Sequence, residues 1–88
     1  MFYAVYGRDG VGIFSTWDKA RIARDSMRSS NCKKFKKRKE AEKWVIDQFN
    51  FLHGCRILIE DFFENGAFGL DNLVEPRYAW APYMQGVD

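Results

Sequence analysis

The chain has 88 residues, a net charge of +2, 47% hydrophobic residues and 17% aromatic residues. This content suits one small folded domain with a thin core and excludes general disorder. No apolar run approaches the roughly 18 residues of a membrane helix, two cysteines make no disulfide framework, and no apolar signal segment follows Met1, so the expectation is an intracellular protein with free thiols and no membrane association.

Residues 2–6 form a short aromatic and β-branched run that suits a strand. Gly7-Arg8-Asp9-Gly10 reads as a turn, with Asp9-Gly10 as a hairpin signal. Residues 11–14 supply the returning strand, which Gly12 weakens. Ser15-Thr16 offers a helix N-cap, and Asp18 complements the dipole in the first turn. Trp17, Ala20, Arg24 and Met27 then share one helical face, with Ala23 beside it, and Ser29-Ser30-Asn31 ends the helix. Residues 32–35 read as a third short strand. In a second helix Ala41, Trp44, Val45, Gln48, Phe49 and Leu52 lie along one stripe, which can extend through His53 to Gly54.

Charge is unevenly distributed. Residues 1–53 carry a net +6 and residues 54–88 a net −4. Much of the excess lies in Lys33-Lys34-Phe35-Lys36-Lys37-Arg38-Lys39, which holds six cations and no acid. Such a patch raises the expectation of a polyanionic partner without naming it. The run also leads into the second helix, where the dipole disfavours cations and no Ser, Thr, Asp or Asn stands as a cap. Glu40 and Glu42 offset part of this. A local rule broken without structural gain often marks a functional surface, although a solvated face with ordinary lysines is the plainer alternative.

Several pieces occur in a recognisable order: Phe2-Tyr3-Ala4-Val5, then Gly10-Val11-Gly12-Ile13-Phe14, Ser15-Thr16-Trp17, Lys33-Lys34-Phe35, and Glu40-Ala41-Glu42-Lys43-Trp44-Val45. No single piece is specific, but their order and spacing over roughly residues 2–50 resemble the N-terminal hybrid-binding domain of ribonuclease H1, which also occurs in caulimovirus viroplasmins. The resemblance implies an α+β fold, a small three-stranded antiparallel sheet with two helices in ββαβα order. It also implies non-catalytic binding of RNA–DNA hybrid or double-stranded RNA across the minor groove, largely independent of sequence. A wide, shallow A-form minor groove and flanking phosphates suit such a surface.

Carried over by position, the resemblance implies that Trp17 packs on the sugar–phosphate backbone with Tyr3 supporting it. Lys33 and Lys34 meet phosphates, and the segment Ser30, Asn31 and Cys32 lies close to the RNA strand. Lys36 and Lys37 extend the cationic surface, and Phe35 belongs to the core. Cys32 departs from the many family members with an aromatic residue there, since a thiol cannot wedge against a sugar as a ring can. The neighbouring lysines could lower its pKa. A core tryptophan at a helix start is the competing reading of Trp17.

Other chemistry has weaker support. His53 and Cys55 make a poor metal pair, so neither metal nor cofactor is expected. Cys32 has no histidine in a nucleophile motif. The nuclease half of ribonuclease H would need further chain and metal-binding carboxylates, so the expectation is no enzyme. Glu60, Asp61, Glu64 and Asp71 read as solvated or partner-facing acids.

The sequence therefore divides into a hybrid-binding module over residues 1–50 and an acidic, aromatic extension of uncertain structure over residues 51–88. The alternative function is a protein-interaction module, in which Phe62, Phe63, Phe68, Tyr78, Trp80 and Tyr83 serve a homodimer or a ribosome-associated or translational partner. A third arrangement lays the acidic extension over the basic surface and masks it.

Overall fold

The computed structural model describes residues 1–54, 56 and 70–74. Strands β1 (Phe2–Gly7) and β2 (Gly10–Phe14) form a hairpin, followed by helix α1 (Trp17–Asp25), strand β3 (Asn31–Phe35), helix α2 (Arg38–His53) and strand β4 (Asn72–Val74). The sheet is antiparallel, in the order β3-β1-β2-β4. The α+β class holds, but the three-stranded ββαβα expectation is corrected to four strands in ββαβαβ order. The added strand is only three residues long, too short to show a period of two.

Strand alternation puts Phe2, Ala4 and Tyr6 of β1 on one face and Tyr3 and Val5 on the other. Helix α2 covers the first face. Ala4, Val11, Ile13, Ala41, Val45, Ile46 and Phe49 form its buried cluster, edged by Phe2, Tyr6, Phe35 and Trp44. Trp44 meets Tyr6 edge-on at 5.3 Å and Phe35 at 5.7 Å between ring centroids. Helix α1 covers the second face with Val5, Phe14, Ala20, Ala23 and Met27, and Tyr3 and Cys32 lie at the rim. The sheet is thus the middle layer between two helices.

Gly12 was expected to weaken β2, yet it is what lets β4 join the sheet. A Cβ at Gly12 would stand 2.6 Å from the Phe14 ring and 2.8 Å from the Asn72 carbonyl oxygen. The missing side chain admits both the ring and the fourth strand's backbone. The hairpin's two-residue connection is Arg8-Asp9, with Gly7 paired to Gly10. Neither connecting residue has positive φ, so the turn lacks the conformation that an Asp-Gly signal usually marks.

Helix α1 ends earlier than its apolar stripe suggested. Ser26 caps it, donating its hydroxyl to the Ala23 carbonyl at 2.7 Å while its backbone N–H reaches the Ile22 and Ala23 carbonyls. Helix α2 runs on to His53, past the sequence division at residue 50, and stops at Gly54 with φ +65°. Glycine adopts that left-handed cap without steric cost.

Candidate nucleic-acid interface

The start of α1 is fixed from two sides. The Thr16 hydroxyl accepts the Lys19 backbone N–H at 3.4 Å as N-cap. The Asp71 carboxylate, carried just before β4, accepts the Ser15 backbone N–H at 2.7 Å and the Ser15 hydroxyl at 2.9 Å, and it pairs with Lys19 at 3.4 Å. These partners, led by the Ser15 backbone, hold the Asp71 carboxyl below its ordinary pKa. Asp71 is therefore a clamp on the β2–α1 turn, which corrects its reading as a solvated or partner-facing acid. The sequence hid this because 56 residues separate the two partners.

Trp17, the first residue of α1, is 43% exposed. Its ring lies 6.1 Å from that of Tyr3, tilted by 51°. The Arg24 guanidinium sits 5.2 Å from the Trp17 ring centroid on the same side of the helix. Arg24 is the neighbour that sequence reading did not place in the site. Its spacing of seven residues from Trp17, two helical turns, is the signal that points to it.

Strand β3 is an edge strand, and its register sorts the other candidates. Lys34 lies opposite Tyr3 and Cys32 opposite Val5, whereas Lys33 lies opposite Ala4. Alternation therefore sends Lys34 and Cys32 to the α1 face and Lys33 to the α2 face. The Lys33 ammonium accordingly lies 5.4 Å from the ring centroid of Phe35, its same-face neighbour. The structure gathers Tyr3, Trp17, Cys32 and Lys34 and places Lys33 across the strand from them.

The segment before β3 is held internally. The Ser30 hydroxyl donates to the Arg24 carbonyl at 2.6 Å, and the Asn31 side-chain oxygen accepts the Cys32 backbone N–H at 2.8 Å. Ser29 has φ +51°. The hairpin tip braces this loop: the Arg8 N–H donates to the Arg28 carbonyl at 2.9 Å, and Arg28 pairs with Asp9 at 3.1 Å.

Several cations are paired: Lys19, Arg28, Arg38 and Lys43 with Asp71, Asp9, Glu42 and Asp47, and Arg21 and Arg24 both with Asp25. Among the described residues, Lys33, Lys34, Lys36, Lys37 and Lys39 are exposed and have no acidic partner. Lys36 and Lys37 occupy the turn between β3 and α2, and Lys37 stands at the helix N-cap with no side-chain cap bond. Their field thus continues from the β3 edge to the start of α2.

Cys32 is half-buried and free. Burial pushes its thiol pKa up, and the opposing pull of Arg24 is smaller. The expectation that nearby lysines lower it is corrected, since those ammonium groups extend into solvent while the sulfur is desolvated. His53 packs against Phe49 with ring centroids 4.2 Å apart and the rings tilted by 41°. Burial lowers its pKa, against hydrogen bonding to the Gly7 backbone. Among the described residues no group of three or more His, Cys, Asp or Glu side chains is placed to hold a metal. Cys55, Glu60, Asp61, Glu64 and the C-terminal aromatics lie outside the described residues, and no described helix is long and apolar enough to cross a membrane.

The arrangement offers a half-exposed indole, a phenol beside it and a row of unneutralised ammonium groups. It can meet a sugar edge and phosphates together. No curated protein and no solved structure gives a significant match to the chain. Residues 1–45, just over half of its length, match the ribonuclease H1 N-terminal domain family. That stretch contains β1, β2, α1, β3 and the first half of α2, and with it every candidate contact; the chain belongs to the ribonuclease H1 N-terminal domain family.

Proposed function

We propose that this chain is a non-catalytic module that binds RNA–DNA hybrid or double-stranded RNA with little dependence on sequence. The observation that carries this reading is the half-exposed Trp17–Tyr3 pair beside lysines that have no acidic partner among the described residues. The indole and phenol pack along the sugar edge of a wide minor groove. Lys34 meets the adjacent phosphates, and Lys36 and Lys37 add attraction beyond them. Lys33 contributes from the far side of the edge strand. Ser30, Asn31 and Cys32 bring backbone close to the RNA strand, where the 2′-hydroxyls lie. Lysines on phosphates give affinity without sequence information and make binding fall with salt. On this reading the module is built on residues 1–50, with the end of α2 and strand β4 completing its second helix and its sheet.

Fluorescence anisotropy against matched RNA–RNA, RNA–DNA and DNA–DNA duplexes at two salt concentrations tests the reading. Tighter, salt-sensitive binding to the RNA-containing duplexes supports it. Absent binding, or equal weak binding to all three, overturns it and leaves the lysines as a charged face.

A further inference from the structure

Arg24 stands apart from the other cations. It projects from the last turn of α1, and its side chain turns back along the helix to reach Trp17. Helical side chains lean toward the N-terminus, so this contact needs no unusual backbone. The guanidinium lies 5.2 Å from the Trp17 ring centroid, in cation–π range. Its only acidic neighbour among the described residues is Asp25, reached through Nε at 3.3 Å, and Asp25 also faces Arg21 at 4.0 Å. One carboxylate between two guanidinium groups leaves a positive surplus. Nε is one of five donors, and the terminal N–H groups of Arg24 form no ion pair among the described residues.

The surroundings place that cation at the candidate interface. The Arg24 carbonyl accepts the Ser30 hydroxyl, tying helix α1 to the start of β3. Cys32 is close enough for the guanidinium charge to act on its thiol. Tyr3, Trp17, Cys32 and Lys34 therefore share one side of the sheet with Arg24.

We propose that Arg24 is a further nucleic-acid contact, a guanidinium held against Trp17 so that indole and cation meet a sugar and its neighbouring phosphate together. This rests on the duplex-binding reading above. A guanidinium already within cation–π range of the indole has less side-chain freedom to lose on binding than an extended lysine. Its planar donors also suit two phosphate oxygens at once.

The test is a salt series of anisotropy titrations on an RNA–DNA hybrid with the full chain and with Arg24→Gln, Arg24→Lys and Lys34→Glu. Circular dichroism checks that each variant is folded. The proposal expects Arg24→Gln to weaken binding roughly tenfold and to reduce the salt slope by about one. Arg24→Lys keeps the slope and loses part of the affinity. Weaker binding by Arg24→Gln with an unchanged slope would make Arg24 a support for Trp17 alone and overturn the phosphate contact. Unchanged affinity and slope overturn it as well. Hybrid binding by the native chain that Lys34→Glu weakens and Arg24→Gln leaves intact removes this inference alone. No binding by the native chain removes the parent reading with it.

Discussion

On the α2 face of the sheet, the seven clustered residues from Ala4 to Phe49 are almost completely enclosed, and α2 is 16 residues long. On the α1 face the helix has 9 residues, the two helical residues it buries are alanines, and the rim carries Tyr3, Cys32 and a half-exposed Trp17. The first face holds the larger of the two buried clusters that stabilise so small a domain. The second can then keep aromatic surface in solvent next to cations. On the proposed function, stability and recognition are separated across the thickness of one sheet, and substitutions on the two sides should fail in different ways.

The largest effect is expected from Phe49→Ala, deep in the α2 cluster. Removing that ring should cost about 3–5 kcal/mol, a large share of a small domain's stability. Urea denaturation measures it, and a loss below about 1 kcal/mol would mean that the α2 face does not dominate. Gly12→Ala should follow at about 1–3 kcal/mol, because the new methyl meets the Phe14 ring and the Asn72 carbonyl. An unchanged urea midpoint would show that β4 adds little.

Trp17→Ala should reverse the pattern, with about 1 kcal/mol of stability lost but duplex affinity reduced roughly tenfold or more. Equal small losses in both would make Trp17 ordinary packing. The two adjacent lysines refine the comparison further. Lys34→Glu should weaken binding more than Lys33→Glu, since only Lys34 shares the Trp17 side, and parallel anisotropy titrations of the two variants decide it. Equal losses would mean that the edge of β3, rather than one face, meets the nucleic acid.

The smallest effect concerns pH. The Asp71 and Asp9 carboxyls are held below their ordinary pKa, first by the Ser15 backbone and by the Arg28 side chain respectively. A carboxyl depressed in the folded state binds fewer protons there than when unfolded. Its contribution is fully present above the ordinary carboxylate range and is lost as pH falls through the lowered folded value. Urea midpoints should therefore decline below about pH 4, and Asp71→Asn should flatten that decline. An identical acid profile in the variant would count against the clamp.

Most of the first 54 residues was legible in the sequence because each element carries its own period or punctuation. Residues 2–6 are an aromatic and β-branched run, Thr16 caps a helix, and Ala41, Val45 and Phe49 recur at helical spacing. The tie between Asp71 and Ser15 was not legible, since no local pattern records which distant loop returns. Neither was β4, three residues with no room for a pattern. Ile46 and the buried Glu42 were missed because they flank the main α2 stripe. The opposite facing of Lys33 and Lys34 follows from strand alternation, although their shared chemistry invites reading them as one unit. Arg24 was placed on the Trp17 face, but its approach to the ring depends on a side-chain path that spacing alone does not fix.

Because helices cover both faces of the sheet, the described residues present no open β-surface on which unpaired bases could be laid flat, as an RNA-recognition-motif sheet does. Whatever polymer docks must meet a strand edge and the flank of a helix. A strand edge beside a helix suits the outline of a paired helix better than the chemistry of individual letters. Tolerance of sequence would then be a property of the layer order itself.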